Sequence, residues 1–162
     1  MTETRFNEEI LPLHADMFRV AVSLLGNREE AQDVVQNAMV KLWTIKEKLE
    51  GVRSLKAYCY GMVRNACLTR ISQMRSTEPV DDMTIEADRS TPHKIVEARD
   101  SLRILKKAID TMPAEQSEVM KLSAYAGMSN SEIAELTGLS DTNVRALLSR
   151  GRKKLKILFS KI

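Results

Sequence analysis

The stretch Ser129-Asn130-Ser131-Glu132-Ile133-Ala134-Glu135-Leu136-Thr137-Gly138-Leu139-Ser140-Asp141-Thr142-Asn143-Val144-Arg145 decides how this chain folds. Ser129 followed three residues later by Glu132 is a capping box, each side chain serving the other residue's backbone N–H at a helix start. The helix it opens is short and carries Ile133, Ala134 and Leu136. Gly138 stops it, because a left-handed residue after a helix costs glycine no Cβ clash. Leu139 fills the corner and Ser140 caps a second helix, whose inner face is Val144, Leu148, Gly151, Leu155 and Leu158. A short helix, a glycine turn, an apolar corner and a second helix with a polar first half make a helix-turn-helix.

That arrangement lets a helix enter the major groove while its partner fixes the approach. The residues pointing away from the core are then Asp141, Thr142, Asn143, Arg145, Ala146, Ser149 and Arg150, and the capping Ser140 joins them as a candidate DNA contact. Arg145 has the fork for a bidentate contact to guanine and Asn143 the amide for adenine. Arg152, Lys153 and Lys156 suit phosphate, which positions a protein without informing it of sequence. From Arg145 to Lys161 there are seven lysines and arginines and no acidic residue. An ordinary solvated helix face mixes both signs, so this one points to a polyanion.

Towards the N-terminus the periodicity is helical throughout. Leu11 to Leu25 carries a stripe that stops at Gly26, and Asn27 with Glu30 resembles a second capping box. The next helix is predicted to bury Ala31, Val34, Val35, Ala38, Met39, Leu42 and Trp43 and to fray near Gly51. Ser54 caps a third, predicted to run to Arg75 with Leu55, Tyr58, Cys59, Met62, Val63, Ala66, Cys67, Ile71 and Met74 inward. From Ser76 to Thr91 the periodicity is lost and Asp81, Asp82, Glu86 and Asp88 appear. This is read as a solvated acidic tether, with the alternative that it mimics a nucleic-acid strand inside a basic channel. Thr91 and Pro92 then open a helix bearing Ile95, Leu102, Leu105, Ile109 and Met112, and Pro113 opens another bearing Val119, Met120, Leu122 and Tyr125, closed by Gly127. The expected fold is all-α: an N-terminal three-to-four-helix bundle over 8–75, a flexible acidic linker over 76–91 and a helix-turn-helix domain over 92–162.

Composition agrees. Of the 162 residues, 43% are hydrophobic and 29% charged, and only four prolines and six glycines interrupt them, which suits helices. Cys59 and Cys67 lie too far apart along one helix for a disulfide and are read as small hydrophobes on a packed face. With His14 and His93 isolated, no metal site and no cofactor are expected. No charged leader precedes an apolar run and no stretch is long enough to span a bilayer, so a cytoplasmic protein without membrane insertion is expected.

Taken in order, Asp33 to Trp43, Ser54 to Tyr58 with Val63-Arg64-Asn65, Met112-Pro113 with Gln116 and Val119, and Glu132-Ile133-Ala134 through Val144-Arg145 resemble the extracytoplasmic-function sigma factors. These are small bacterial subunits that direct RNA polymerase to promoters. The resemblance runs from about Leu11 to Leu158. It implies a first domain reading the −10 element and a second reading the −35 element. It also implies that Asp33, Gln36 and Lys41 meet a coiled coil of the polymerase's largest subunit, with the flap as a further core contact. The Ser54–Arg75 helix would lie on melted −10 DNA, the loop before it holding a flipped base. Arg53, Lys56, Tyr60, Arg64, Asn65 and Arg70 supply charge, stacking and donors for that strand. An anti-sigma factor, commonly membrane-anchored in this family, is the implied regulator.

Two other readings meet specific objections. A free-standing helix-turn-helix repressor or activator explains residues 129–156 equally well. It leaves Asp33–Trp43 without a purpose, and it normally needs a dimerisation helix for palindromic sites. An enzyme would need a phosphate loop, zinc-ligand spacing or an activated nucleophile, and none is visible. His14 alone does not supply one.

Overall fold

The computed structural model describes residues 1–77 and 94–161, with the side chains of 75–77 and 94–98 outside that description. Within it the chain is helical and no strand occurs among the described residues. Helix α1 spans Glu3–Glu9 and is capped by Thr2. A short 3₁₀ turn, Leu11–Leu13, leads into α2, His14–Leu25. Helix α3 is Arg28–Thr44, and a 3₁₀ segment Lys46–Gly51 separates it from α4, Leu55–Thr77.

The caps fall where the sequence places them. Asn27 accepts from the backbone N–H of Glu30 at 3.0 Å and Ser54 from that of Ala57 at 3.1 Å, each side chain satisfying an orphan donor of a first turn. Met17, Val20, Ala21 and Leu24 of α2 lie against Ala31, Val34, Val35 and Leu42 of α3 and Cys59, Val63 and Cys67 of α4 in one core. Burial pushes the Cys59 thiol up to about 11 and the Cys67 thiol up to about 12. Both are free and stay protonated at neutral pH, as two small core hydrophobes should.

The second set of helices is α5, Lys94–Asp110; α6, Ala114–Ala124; α7, Asn130–Thr137; and α8, Asp141–Ser160. Ile109, Met112, Val119, Met120, Leu122, Ile133, Val144 and Leu148 form its interior, all under one-tenth exposed. Helices α6 and α8 cross closely at Gly151, where a Cβ would sit 2.5 Å from the Met120 sulfur. Gln116, buried between the same helices, donates to the Leu147 carbonyl and accepts from Lys154 at 3.0 Å. The two helix sets also meet each other, α2 packing on α6 and α4 on α7.

Several expectations need correction. The seven-residue α1, absent from the expected helices, begins ahead of residue 8 and ends at Glu9. Its lone apolar anchor, Phe6, sits edge-on to Trp43 with ring centroids 5.0 Å apart. Trp43 is 37% exposed, with the Lys46 ammonium 3.7 Å over its ring, so it borders the core instead of filling it. Helix α3 ends at Thr44, well before Gly51. Helix α4 reaches Thr77, so the first two residues of the predicted linker are helical. The remainder of that linker, and the Thr91–Pro92 cap, lie outside the described residues. Tyr58, Leu102 and Tyr125, all predicted inward, are exposed.

Candidate nucleic-acid interface

The helix-turn-helix is built as its residues dictate. Ser129 accepts from the Glu132 backbone N–H at 3.2 Å, while its own N–H donates to the Glu132 carboxylate at 3.1 Å. The backbone N–H of Ser129, then its hydroxyl, hold the Glu132 carboxyl below the usual carboxylate range. Both bonds serve donors that a helix start leaves unpaired, so Ser129→Ala is expected to cost about 1 kcal/mol of stability, read by thermal unfolding. Gly138 takes φ +79°, a left-handed conformation that turns the chain sharply into α8. Ser140 caps α8 by accepting from Asn143 N–H at 3.1 Å.

With Val144, Leu148 and Gly151 facing inward, the opposite side of α8 is open. Ser140, Thr142, Asn143, Arg145, Ser149, Arg150, Arg152 and Lys153 are all exposed, and Ala146 is half-buried. Among the described residues none of Arg145, Arg150, Arg152 and Lys153 forms an ion pair. Lys154 is the exception on this helix: it faces back and bonds Gln116. The result is a cationic helix face backed by an apolar one, of a width that fits a major groove.

The candidate residues of the N-terminal helices divide into three groups. On α3, Asp33, Gln36 and Lys41 are exposed on the side away from the core. Arg53 and Asn65 are exposed as well. Arg70 is turned sideways: its guanidinium pairs with the Asp33 carboxylate, joining a predicted DNA contact to a predicted polymerase contact. Lys56, Tyr60 and Arg64 recur every four residues and so share one face of α4. That face meets the second helix set. Arg64 holds Glu118 of α6 with a forked pair of hydrogen bonds, 2.8 and 2.9 Å. Tyr60 is 6% exposed and donates to Asp16 at 3.0 Å; burial first, and Asp16 second, push its phenol pKa up. The sequence pattern exchanged two tyrosines: Tyr58 was predicted inward and Tyr60 free to stack, and the structure has them reversed. The interlocking of Arg64 and Glu118 carried no sequence signal, since a contact 54 residues apart leaves no periodicity.

A two-module helical chain with a bared helix-turn-helix face is a DNA reader of the kind that transcription machinery employs. Two family models match it, Sigma-70 region 2 over residues 10–77 and Sigma-70, region 4 over residues 102–155. Among relatives, SigL of Mycobacterium tuberculosis, an ECF RNA polymerase sigma factor, is 26% identical over 151 residues, covering 91% of this chain and 85% of the relative. The RNA polymerase sigma factor SigV of Bacillus subtilis is 25% identical over 146 residues, with 90% and 86% covered. Among solved structures, RpoE of Bartonella quintana, in complex with the anti-sigma factor NepR, superposes with a TM-score of 0.63 at 23% identity, covering 96% of each chain. CnrH, in complex with the cytosolic domain of CnrY, gives 0.66 at 21%, covering 99% of this chain and 90% of that one.

The chain belongs to the extracytoplasmic-function subfamily of sigma-70-type sigma factors, and its function is that of an RNA polymerase sigma factor. Sigma factors of this kind are initiation factors and not enzymes. Among the described residues no helix is long and apolar enough to cross a membrane.

Proposed function

We propose that residues 8–75 and 92–162 are the two working units, the first docking on polymerase core and reading the −10 element, the second reading the −35 element. Asp33, Gln36 and Lys41 meet the coiled coil of the largest subunit. Arg53, Lys56, Tyr60, Arg64, Asn65 and Arg70 take the opened −10 strand by charge, stacking and hydrogen bonds. Ser140, Thr142, Asn143, Arg145, Ala146, Ser149 and Arg150 face bases or the adjacent backbone in the −35 major groove, with Arg152 and Lys153 on phosphate. Because the units belong to one chain, weak contacts at two promoter sites combine through effective concentration. The protein works in the cytoplasm without covalent chemistry. An anti-sigma factor is its regulator, by likeness to the RpoE and CnrH complexes.

The observation that carries this reading is the exposed α8 face, on which Arg145, Arg150, Arg152 and Lys153 stand without acidic partners among the described residues. Clustered cations repel one another, so a fold keeps them bare where a polyanion neutralises them. Lys153→Ala is expected to weaken every DNA sequence alike and to lower the slope of log K against log salt by about one unit. Titrations at several salt concentrations read it directly. The whole proposal is tested by run-off transcription on genomic fragments, using core polymerase with this chain as its sole specificity subunit. Discrete transcripts are expected; silence overturns it.

A further inference from the structure

Helix α2 carries two apolar stripes, and the core accounts for one of them. Met17, Val20, Ala21 and Leu24 are buried. Phe18, Val22 and Leu25 recur at i, i+4 and i+7 and so share a neighbouring face. All three are only half-buried. That face is the floor of a cleft of about 550 Å³ between α2, the start of α3, α5 and α6. Clefts that take small molecules measure about 300–1,000 Å³ and combine an apolar lining with a few placed polar groups.

The polar groups here are mostly cationic. Arg19, Arg28, Lys106 and Lys121 line the cleft with a single acid, Asp110. Lys121 is committed, pairing with Asp110 at 3.0 Å and donating to the Leu24 carbonyl at 3.4 Å. Arg19 is committed to Asp16. Arg28 and Lys106 have no acidic partner among the described residues, yet both are placed. The Arg28 guanidinium lies 5.4 Å from the centre of the Phe18 ring, a cation–π contact that holds it over the apolar floor. The Lys106 side chain crosses Gly26, where the chain turns from α2 to α3, and a Cβ there would sit 3.1 Å from its ammonium.

We infer that this cleft is a binding site for a small amphipathic carboxylate, whose apolar body lies on Phe18, Val22 and Leu25 and whose head group is held by Arg28 and Lys106. None of these residues is among the promoter or polymerase contacts proposed above, so the site does not depend on those assignments.

Charge and surface together select this ligand class. A cleft with apolar walls and one sign of charge focuses its field and concentrates counter-ions, so an anion is favoured over a neutral or cationic ligand. A polyanion such as a nucleotide would bring several charges onto a hydrocarbon floor, with two uncommitted cations to meet them, and a charge desolvated without a partner is costly. A single carboxylate on an apolar body satisfies both parts of the cleft. It takes charge-assisted hydrogen bonds from Arg28 and Lys106 at one end and removes apolar surface from water at the other. Tyr125, also in the lining, adds a phenolic donor. Because the walls come from both helix sets, a bound ligand touches both and stabilises the folded chain by mass action.

The probe is decanoate, titrated into the full-length chain below its micelle concentration and followed by calorimetry and methyl NMR. Saturable one-to-one binding is expected, with the methyl signals of Val22 and Leu25 shifting while that of Val63, deep in the core, stays in place. Decanol and acetate carry the two halves of the ligand separately. Each should bind at least about 10-fold more weakly, the loss of one good interaction. Arg28→Gln combined with Lys106→Gln, both at exposed positions, should weaken decanoate at least about 10-fold and leave decanol unchanged. Thermal unfolding of the unliganded double variant should match the parent, which shows that the loss belongs to the ligand. No binding of decanoate overturns the inference. So does equal affinity for decanoate and decanol, equal affinity of parent and double variant, or shifts confined to residues outside the cleft. Sedimentation of the free chain should give a monomer. A dimer that Leu25→Asp dissociates would make a second copy of the chain the occupant and overturn the inference as well.

Discussion

Leu148→Ala is expected to lower the unfolding free energy by about 2–5 kcal/mol, the range for deleting a fully buried leucine side chain where neighbours relax only in part. Leu148 is 1% exposed on the inner face of α8, in the same core as Val144, Ile133, Val119 and Leu122. It cannot be compensated by sliding α8 inward, because Gly151 already brings that helix against Met120 with no space for even a methyl group. A cavity is the outcome. Its functional consequence is larger than its thermodynamic one, since α8 owes its orientation to this packing and the groove-facing residues share that helix. Urea unfolding reads the first effect and promoter binding the second. Ser149→Ala, one residue on and exposed, should stay within about 0.5 kcal/mol of the parent, showing that the loss belongs to the core.

The helix-turn-helix was legible because everything that builds it is local. A serine three residues before a glutamate, a glycine two residues before a capping serine, and a repeat of 3.6 are all readable within one window of sequence. The capping box, the left-handed Gly138 and the open face of α8 followed with little tertiary context. Helix α4 was harder for a physical reason. Periodicity finds the face of a helix that meets one partner, whereas α4 meets α2 and α3 on one side and α7 on another. Tyr60 is buried towards the second, so a single stripe could not contain it. Tyr58, about 200° around the helix from Tyr60, points away from both and is 39% exposed. Leu102 shows the converse: it fits the stripe of α5 and is 66% exposed.

The same distinction runs through the candidate site. Which residues would be polar and outward on α3 and α8 was set by the helical repeat, and Asp33, Gln36, Lys41 and Arg145 are exposed accordingly. What those residues touch was not. Asp33 with Arg70 and Arg64 with Glu118 are pairings between helices. Opposite charges distant in sequence can pair in many ways, and burial of the backbone framework selects among them. A consequence follows for interpretation of variants. Substituting Arg64 or Arg70 changes the idle protein as well as its contact with DNA, so effects measured on the free chain mix two states, whereas α8 substitutions such as Arg145 do not.

Arg145 therefore gives the cleanest test of sequence readout. Arg145→Ala is expected to cost roughly 1–3 kcal/mol of binding at the preferred −35 sequence and to relax discrimination at one base pair, the signature of losing a bidentate contact to a base edge. The residue follows Val144, which is wholly buried, and lies in the first turns of α8, where a groove-inserted helix reaches bases. No partner among the described residues is lost with it, so stability should hardly change. Affinity measured against a panel of single-base variants separates this from a phosphate contact. A base contact flattens the preference at one position and spares the others, while a phosphate contact lowers the whole panel together. Lys153 lies eight residues, about two helical turns, further along α8 and is expected to do the second. Arg145 and Lys153 variants that both lowered the whole panel equally would mean that α8 enters the groove in a different orientation, with its C-terminal cations and not its N-terminal turn setting the register.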